Sequence, residues 1–257
     1  MSKAFSPGFN IQPLHQPLGF ALGDDCFGPQ TELRTLDSIR KSLMEPDVAD
    51  PEIVYAIMMD VGKKIHRELL NQLHLLYGVV TYAAGTLGKE PVRSQGHIHV
   101  RSTFANGYST PEVYEIWQGK AIIYMQELGG DNPGKCIAVY GNSGDVIIVP
   151  PGWVHATISA QPDSPLTFGA WCDRNYGFDY DEVRAHKGIA WFPIVVDGEI
   201  QWIRNENYQK SELQLTEART YPEFSLEKGK PIYTQFEENK DKFLFVTRPD
   251  LFKDIWK

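Results

Sequence analysis

Two histidines, His97 and His99, stand two residues apart in the run SQGHIHV. In a strand, alternate side chains share a face, so both imidazoles would point the same way. A metal ion needs that geometry, and the wet face of an ordinary strand supplies it too. Further on, EVYEIWQG opens with Glu112 and places Tyr114 on the same strand face, leaving Val113 and Glu115 on the other. The run GDVIIVPPGWVH then ends a strand in Pro-Pro-Gly and presents His155 just after the tight turn. Three imidazoles and one carboxylate therefore fall on neighbouring strands of a single β-rich region. The remaining histidines, His15, His66, His74 and His186, lie in arm, helix or loop context and are expected at the surface.

The elements that would position these groups follow from composition and pattern. The chain has 257 residues, 42% hydrophobic and 23% charged, with a formal net charge of -8. That length suits one large domain or two small ones with an ample core. The negative balance argues against a nucleic-acid partner, which demands a basic face, but leaves room for a small anionic ligand held by local donors. No apolar run has the length of a membrane span, and the N-terminus shows no signal-peptide pattern. Cys26, Cys136 and Cys172 are odd in number and scattered. They are expected as buried, inert thiols in a reducing cytoplasm.

Residues 1–50, punctuated by Pro7, Pro13, Pro17 and Pro29, form an arm in which Thr31 to Met44 reads as an amphipathic helix. Glu52 to Val61 reads as a strand, and Lys63 to Leu76 as a short helix or irregular connection. Short apolar or alternating runs then succeed one another: LYGVVTYAAG, VRSQGHIHV, EVYEIWQG, AIIYMQEL, CIAVYG, DVIIVP, HATISA and LTFGAWC. Turn residues in GGD, NPG, NSG and PPG separate several of them, which predicts an all-β sandwich or barrel over residues 51–200. Trp191 to Ile203 reads as a hairpin with Asp197-Gly198 in a type I′ turn. The tail, 201–257, ends in a helix near PDLFKDIWK. Its Phe236, Phe243, Phe245 and Trp256 are too apolar for a linker, so it should dock on the barrel or on a second subunit.

The two motif regions together resemble the two-part signature of the cupin superfamily. Gly96, His97, His99, Glu112 and Gly119 match its first part, and Gly144, Pro150, Gly152 and His155 its second. The resemblance implies a cupin jelly-roll β-barrel in which His97, His99, Glu112 and His155 hold one divalent metal. Two departures stand out. The stretch VRSTFANGYSTP between His99 and Glu112 is longer than the usual spacer, and Ser159 replaces the asparagine that follows the last histidine. TYAAGTLGKE before the first motif, Tyr114 and Gln126 around the glutamate, and NYGFDYDEVRAHKG further on resemble the cupin-type phosphoglucose isomerases.

That narrower resemblance implies an enzyme interconverting glucose 6-phosphate and fructose 6-phosphate, with Fe²⁺ favoured and Mn²⁺, Ni²⁺ or Zn²⁺ as substitutes. Glu112 would be the base, and Tyr114 would orient substrate or shuttle protons. The sugar phosphate would meet Ser94, Gly96, Thr81, Gly88 and Tyr180, with Arg93 and Lys89 near enough to help. Cys172 and Phe178 stand where the family has tyrosine and histidine, which leaves a related sugar phosphate open. A homodimer in the cytoplasm, serving glycolysis or gluconeogenesis, is the implied setting. Two other classes remain open at this point: a cupin dioxygenase or related metal enzyme, and a non-catalytic sugar-binding cupin.

Overall fold

The computed structural model describes residues 5–175 and 177–256. Residues 1–4 of the arm, Tyr176 within NYGFDYDEVRAHKG, and Lys257 lie outside the described residues. Two sheets face each other. A six-stranded sheet runs in the order Val146–Val149, Glu112–Gln118, Leu166–Asp173, Leu75–Tyr82, Ile53–Met59, Glu32–Thr35. A four-stranded sheet runs Val154–Ser159, Lys120–Gln126, Cys136–Asn142, Leu213–Glu217. Every pairing within them is antiparallel except that of Cys136–Asn142 with Leu213–Glu217. Tyr114, Ile147, Phe168 and Val80 from the first sheet meet Ile123, Met125 and Val139 from the second in one buried cluster, the barrel interior. This is the closed double-sheet architecture of a cupin jelly roll, as the sequence predicts. No helix among the described residues is long and apolar enough to cross a membrane.

Both outer faces are covered as well. Trp117 and Trp171, pointing out of the six-stranded sheet, pack with Tyr233, Phe236 and Phe243 from the tail and Phe9 from the arm. Ile122, Tyr124 and Ile158 of the other sheet lie under Val183, Ile189 and the Trp191–Val196/Glu199–Arg204 hairpin. That hairpin turns at Asp197 and Gly198 with φ of 52° and 81°, the two positive values a type I′ turn requires. Double covering explains why Glu112–Gln118 is buried on both faces although its sequence alternates.

Two local expectations differ. Thr31 to Met44 is not one helix. Glu32–Thr35 joins the sheet edge beside Ile53–Met59, and a helix starts only at Leu36–Ile39, capped by the Thr35 hydroxyl. Strand pairing of its first residues outweighs a helical pattern of weak intrinsic stability. VRSQGHIHV is not a continuous strand either, because Gly96 adopts a φ of +90° and breaks it. Among the described residues, the expected helix near PDLFKDIWK is present as the 3₁₀ helix Pro249–Phe252.

Glu115 faces the tail side, 1% exposed, and accepts hydrogen bonds from the Ile232 backbone N–H (2.7 Å) and Trp117 Nε1 (3.1 Å). Burial raises its pKa to about 8 against those two donors. A folded-state pKa above the unfolded one means the group favours folding at low pH and opposes it once pH passes from the ordinary carboxylate range through about 8. Glu115→Gln keeps the shape and an acceptor without the charge. It is expected to raise stability above pH 8 by on the order of 2–4 kcal/mol and leave it nearly unchanged at pH 4. Denaturant midpoints at the two pH values check this, and equal shifts at both would refute it.

Candidate metal centre and cavity

The backbone brings the two histidine-bearing segments together directly. His97 and His155 exchange hydrogen bonds, N to O at 3.0 and 2.9 Å. Ser94 and Thr157 tie the preceding turn to the same strand: Ser94 N–H donates to Thr157 O at 2.9 Å, and Thr157 N–H to Ser94 Oγ at 3.1 Å. Ile98–His99 pairs with Phe178–Asp179, and Glu112 lies opposite Val149. One ligand-capable atom from each of His97, His99, Glu112 and His155 falls within a sphere of mutual distance 4.8 Å. The long insertion before Glu112 therefore does not carry the carboxylate out of reach.

Hydrogen bonding orients the rings. His99 Nδ1 lies 3.0 Å from Thr110 O, and His155 Nδ1 lies 3.1 Å from Trp153 O. A carbonyl only accepts, so the hydrogen-bond network assigns the proton to Nδ1 in both rings and turns Nε2 inward as a bare acceptor. Glu112 Oε2 then sits 3.0 Å from His155 Nε2 and 3.3 Å from His99 Nε2. The Nε2 atoms of His97 and His99 are buried without a hydrogen-bond partner in the protein. Buried lone pairs facing a carboxylate are costly by themselves and are satisfied by a cation among them. Three nitrogens and one oxygen, with no thiolate in the group, suit a first-row divalent ion.

The surrounding charges agree. Burial, then the neighbouring His155 and His99, pushes His97 well below the ordinary imidazole value, so that ring stays neutral and free to ligate. Tyr114 donates its hydroxyl to Glu112 Oε2 at 2.8 Å, and burial, reinforced by that carboxylate, keeps the phenol protonated. Cys172 is buried as expected but not remote, since its Sγ donates to Glu112 Oε1 at 3.3 Å. Burial and the Glu112 charge hold it in the thiol form.

A cavity adjoins these groups, lined by His97, Glu112 and Tyr114 together with Ser94, Gln95, Tyr180 and Arg34. The rest of its wall is largely apolar and aromatic. Ser94 and Tyr180 are thus brought to it, and five other expected contacts are not. Thr81 is turned to the opposite face of its strand, where it bonds Thr167 Oγ1 at 2.9 Å, because the two-residue alternation that aims Val80 and Tyr82 inward sends Thr81 out. Gly88, at φ +63°, lies against Glu45, whose carboxylate would repel a phosphate. Lys89 is committed to that same glutamate, backbone and ammonium both. Arg93 is fully buried and spends its guanidinium on Glu90 (2.6 Å), Ser42 O and Ser94 O. Gly96 serves its backbone turn, with Ile189 where a side chain would go, and does not line the cavity.

Among the lining residues Arg34 is the one lysine or arginine, partly exposed and 3.0 Å from Glu32. Its placement in a predicted helix of the arm hid it, and nothing but its charge could have marked it. The expectation that the remaining histidines lie at the surface fails for two. His66 is buried beside Tyr233 (3.2 Å), and His186 beside Asp131 (3.0 Å) under Tyr208. Tertiary packing of the tail and hairpin covers them.

A closed β-barrel with a three-histidine, one-carboxylate cluster beside a cavity defines a metal-binding cupin. A model of the family described as Glucose-6-phosphate isomerase (GPI) matches residues 34–211, and the chain belongs to that family. Glucose-6-phosphate isomerase of Pyrococcus furiosus is 32% identical over 49% of this chain and 60% of its own length. The Thermococcus kodakarensis enzyme of the same name is 29% identical over the same shares. The match thus spans about 60% of each of these relatives. Among solved structures, an oxalate oxidase in complex with the substrate analogue glycolate overlaps 44% of this chain and 48% of its own, with a TM-score of 0.35 and 16% identity.

Proposed function

We propose that this chain is a metal-dependent aldose–ketose isomerase interconverting glucose 6-phosphate and fructose 6-phosphate, with His97, His99, Glu112 and His155 as the ligands of a resident Fe²⁺. Mn²⁺, Ni²⁺ and Zn²⁺ are the expected substitutes. The observation that carries the reading is the convergence of these four donors on one another, with His97 and Glu112 lining the adjoining cavity, in a member of the isomerase family. Moving hydrogen between C1 and C2 of an open-chain sugar requires a proton acceptor or a hydride path, and stabilisation of charge developing on the two adjacent oxygens. A divalent ion held by His97, His99, Glu112 and His155 would supply the second as a Lewis acid. Glu112 either takes and returns the proton or holds the ion while hydrogen moves as hydride. Tyr114, donating to Glu112, keeps that carboxylate aimed at the cavity and stands ready to orient a substrate hydroxyl. Family resemblance adds a cytoplasmic homodimer to the proposal, checked by light scattering in solution.

With Thr81, Gly88, Lys89 and Arg93 turned to other partners, the phosphate falls to Arg34, Ser94, Gln95 and Tyr180. Arg34→Met is expected to raise KM for glucose 6-phosphate by about ten- to a hundredfold, the loss of roughly 1.5–3 kcal/mol of charge-assisted binding, with kcat nearly unchanged. An unchanged KM would move the phosphate elsewhere in the cavity.

The deciding experiment is an assay of protein reconstituted with each of the four metals on glucose 6-phosphate, fructose 6-phosphate and mannose 6-phosphate. No turnover of any of them would overturn the isomerase reading. The apolar wall of Ile57, Met59, Val80 and Phe168 favours one second reading, oxidation of a small molecule at the same ligands. Oxygen uptake in the same reconstituted samples would identify it.

A further inference from the structure

The insertion between His99 and Glu112 folds into a small hairpin, Arg101–Ser102 against Tyr108–Ser109, whose return end lies against both halves of the metal cluster. The Ser109 hydroxyl donates to the His99 backbone carbonyl at 2.7 Å and accepts the Gly152 N–H at 3.1 Å. Its neighbour Thr110 contributes the carbonyl that holds His99 Nδ1 at 3.0 Å. Two consecutive residues thus fix the backbone and the ring of one histidine, while the same hydroxyl reaches the turn that presents His155. A hydroxyl can donate once and accept as well, and here it does both between segments far apart in sequence.

The far end of the hairpin is anchored too. Asn106 Nδ2 donates to Asp250 Oδ2 at 2.7 Å, and Asp250 is held by Arg248 through bonds of 2.9 and 2.8 Å. Phe104 stacks on His74 with centroids 3.7 Å apart. Residues of the C-terminal tail therefore back the hairpin that braces the cluster.

We infer that Ser109 is a positioning residue that clamps the His99 and His155 segments into one metal-binding geometry, and that the tail supports this clamp through Asp250 and Asn106. The inference rests on the metal centre proposed above. Groups that orient metal ligands from behind contribute strongly to affinity although they never touch the ion.

The test uses the purified full chain stripped of metal and titrated with Co²⁺ alone, whose visible absorption reports ligand geometry. Ser109→Ala should weaken Co²⁺ binding by about 10- to 100-fold and alter the absorption band, with the metal-free melting midpoint near that of the unmodified protein. Ser109→Thr, which keeps the hydroxyl, should restore both. Asn106→Ala, at the exposed tip, should give a smaller loss in the same direction. Unchanged affinity and spectrum in Ser109→Ala would overturn the clamp alone. Should Ser109→Ala fail to fold, unchanged Co²⁺ binding by Asn106→Ala would overturn it instead. Failure of the unmodified chain to bind Co²⁺ would overturn the metal centre and the clamp together.

Discussion

The His97→Ala, His99→Ala double variant should lose stoichiometric metal and, with it, turnover by on the order of a thousandfold or more, the scale of removing a preorganised electrostatic stabiliser. Two of four inward-facing donors disappear, and the two that remain, Glu112 and His155, are only 3.0 Å apart and would collapse onto each other. Losing the Nε2 atoms costs no hydrogen bond in the protein, so the expected cost to metal-free stability is limited to lost packing and the His99 Nδ1–Thr110 O bond. Metal analysis after dialysis, alongside circular dichroism, separates the two effects. Full metal content in this variant would show that the ion sits elsewhere.

Glu112→Gln should lower turnover by on the order of a hundredfold or more, and the way it does so assigns the role of the carboxylate. The amide retains one oxygen but cannot accept a proton, and its NH₂ group faces Tyr114 or Cys172, which both donate to the carboxylate now. If Glu112 takes the proton, the rate stays low with metal fully bound, and a C2 deuterium label in the substrate washes out into water in the unmodified enzyme. If Glu112 only ligates, metal affinity falls, excess metal restores much of the rate, and the label is retained in product. Tyr114→Phe is the companion measurement, removing the donor while leaving the ligands in place. Full activity of Glu112→Gln without added metal would contradict both roles.

The four candidate ligands were legible because each rests on a local rule. Alternation along a strand placed His97 with His99 and Glu112 with Tyr114, and Pro-Pro-Gly marked the turn before His155. The cavity contacts were legible only in part. Ser94 and Tyr180 line the cavity, whereas strand alternation along Leu75–Tyr82 turns Thr81 to the opposite face, onto Thr167. Arg93 and Lys89 carried the right charge but had nearer carboxylates: Glu90, three residues before Arg93, and Glu45, which only the fold brings to Lys89. Arg34 was missed because its segment has helical periodicity, and only the edge of a sheet made it a strand.

Sequence alone determined the β-barrel, its tight turns, the type I′ hairpin and the residue types able to bind a divalent ion, since all of these depend on short-range periodicity and turn chemistry. Tertiary structure alone decided what each polar group meets. It buried His66 and His186, set Cys172 against Glu112, and closed the long insertion onto His99 through Ser109 and Thr110. It also laid the aromatic tail over the outer sheet face, so that Glu115, three residues past Glu112, became a buried acid. Periodicity along the chain specifies which way a side chain points; the partner waiting there comes from segments tens to hundreds of residues away, brought in by burial of apolar surface that has no preferred sequence separation.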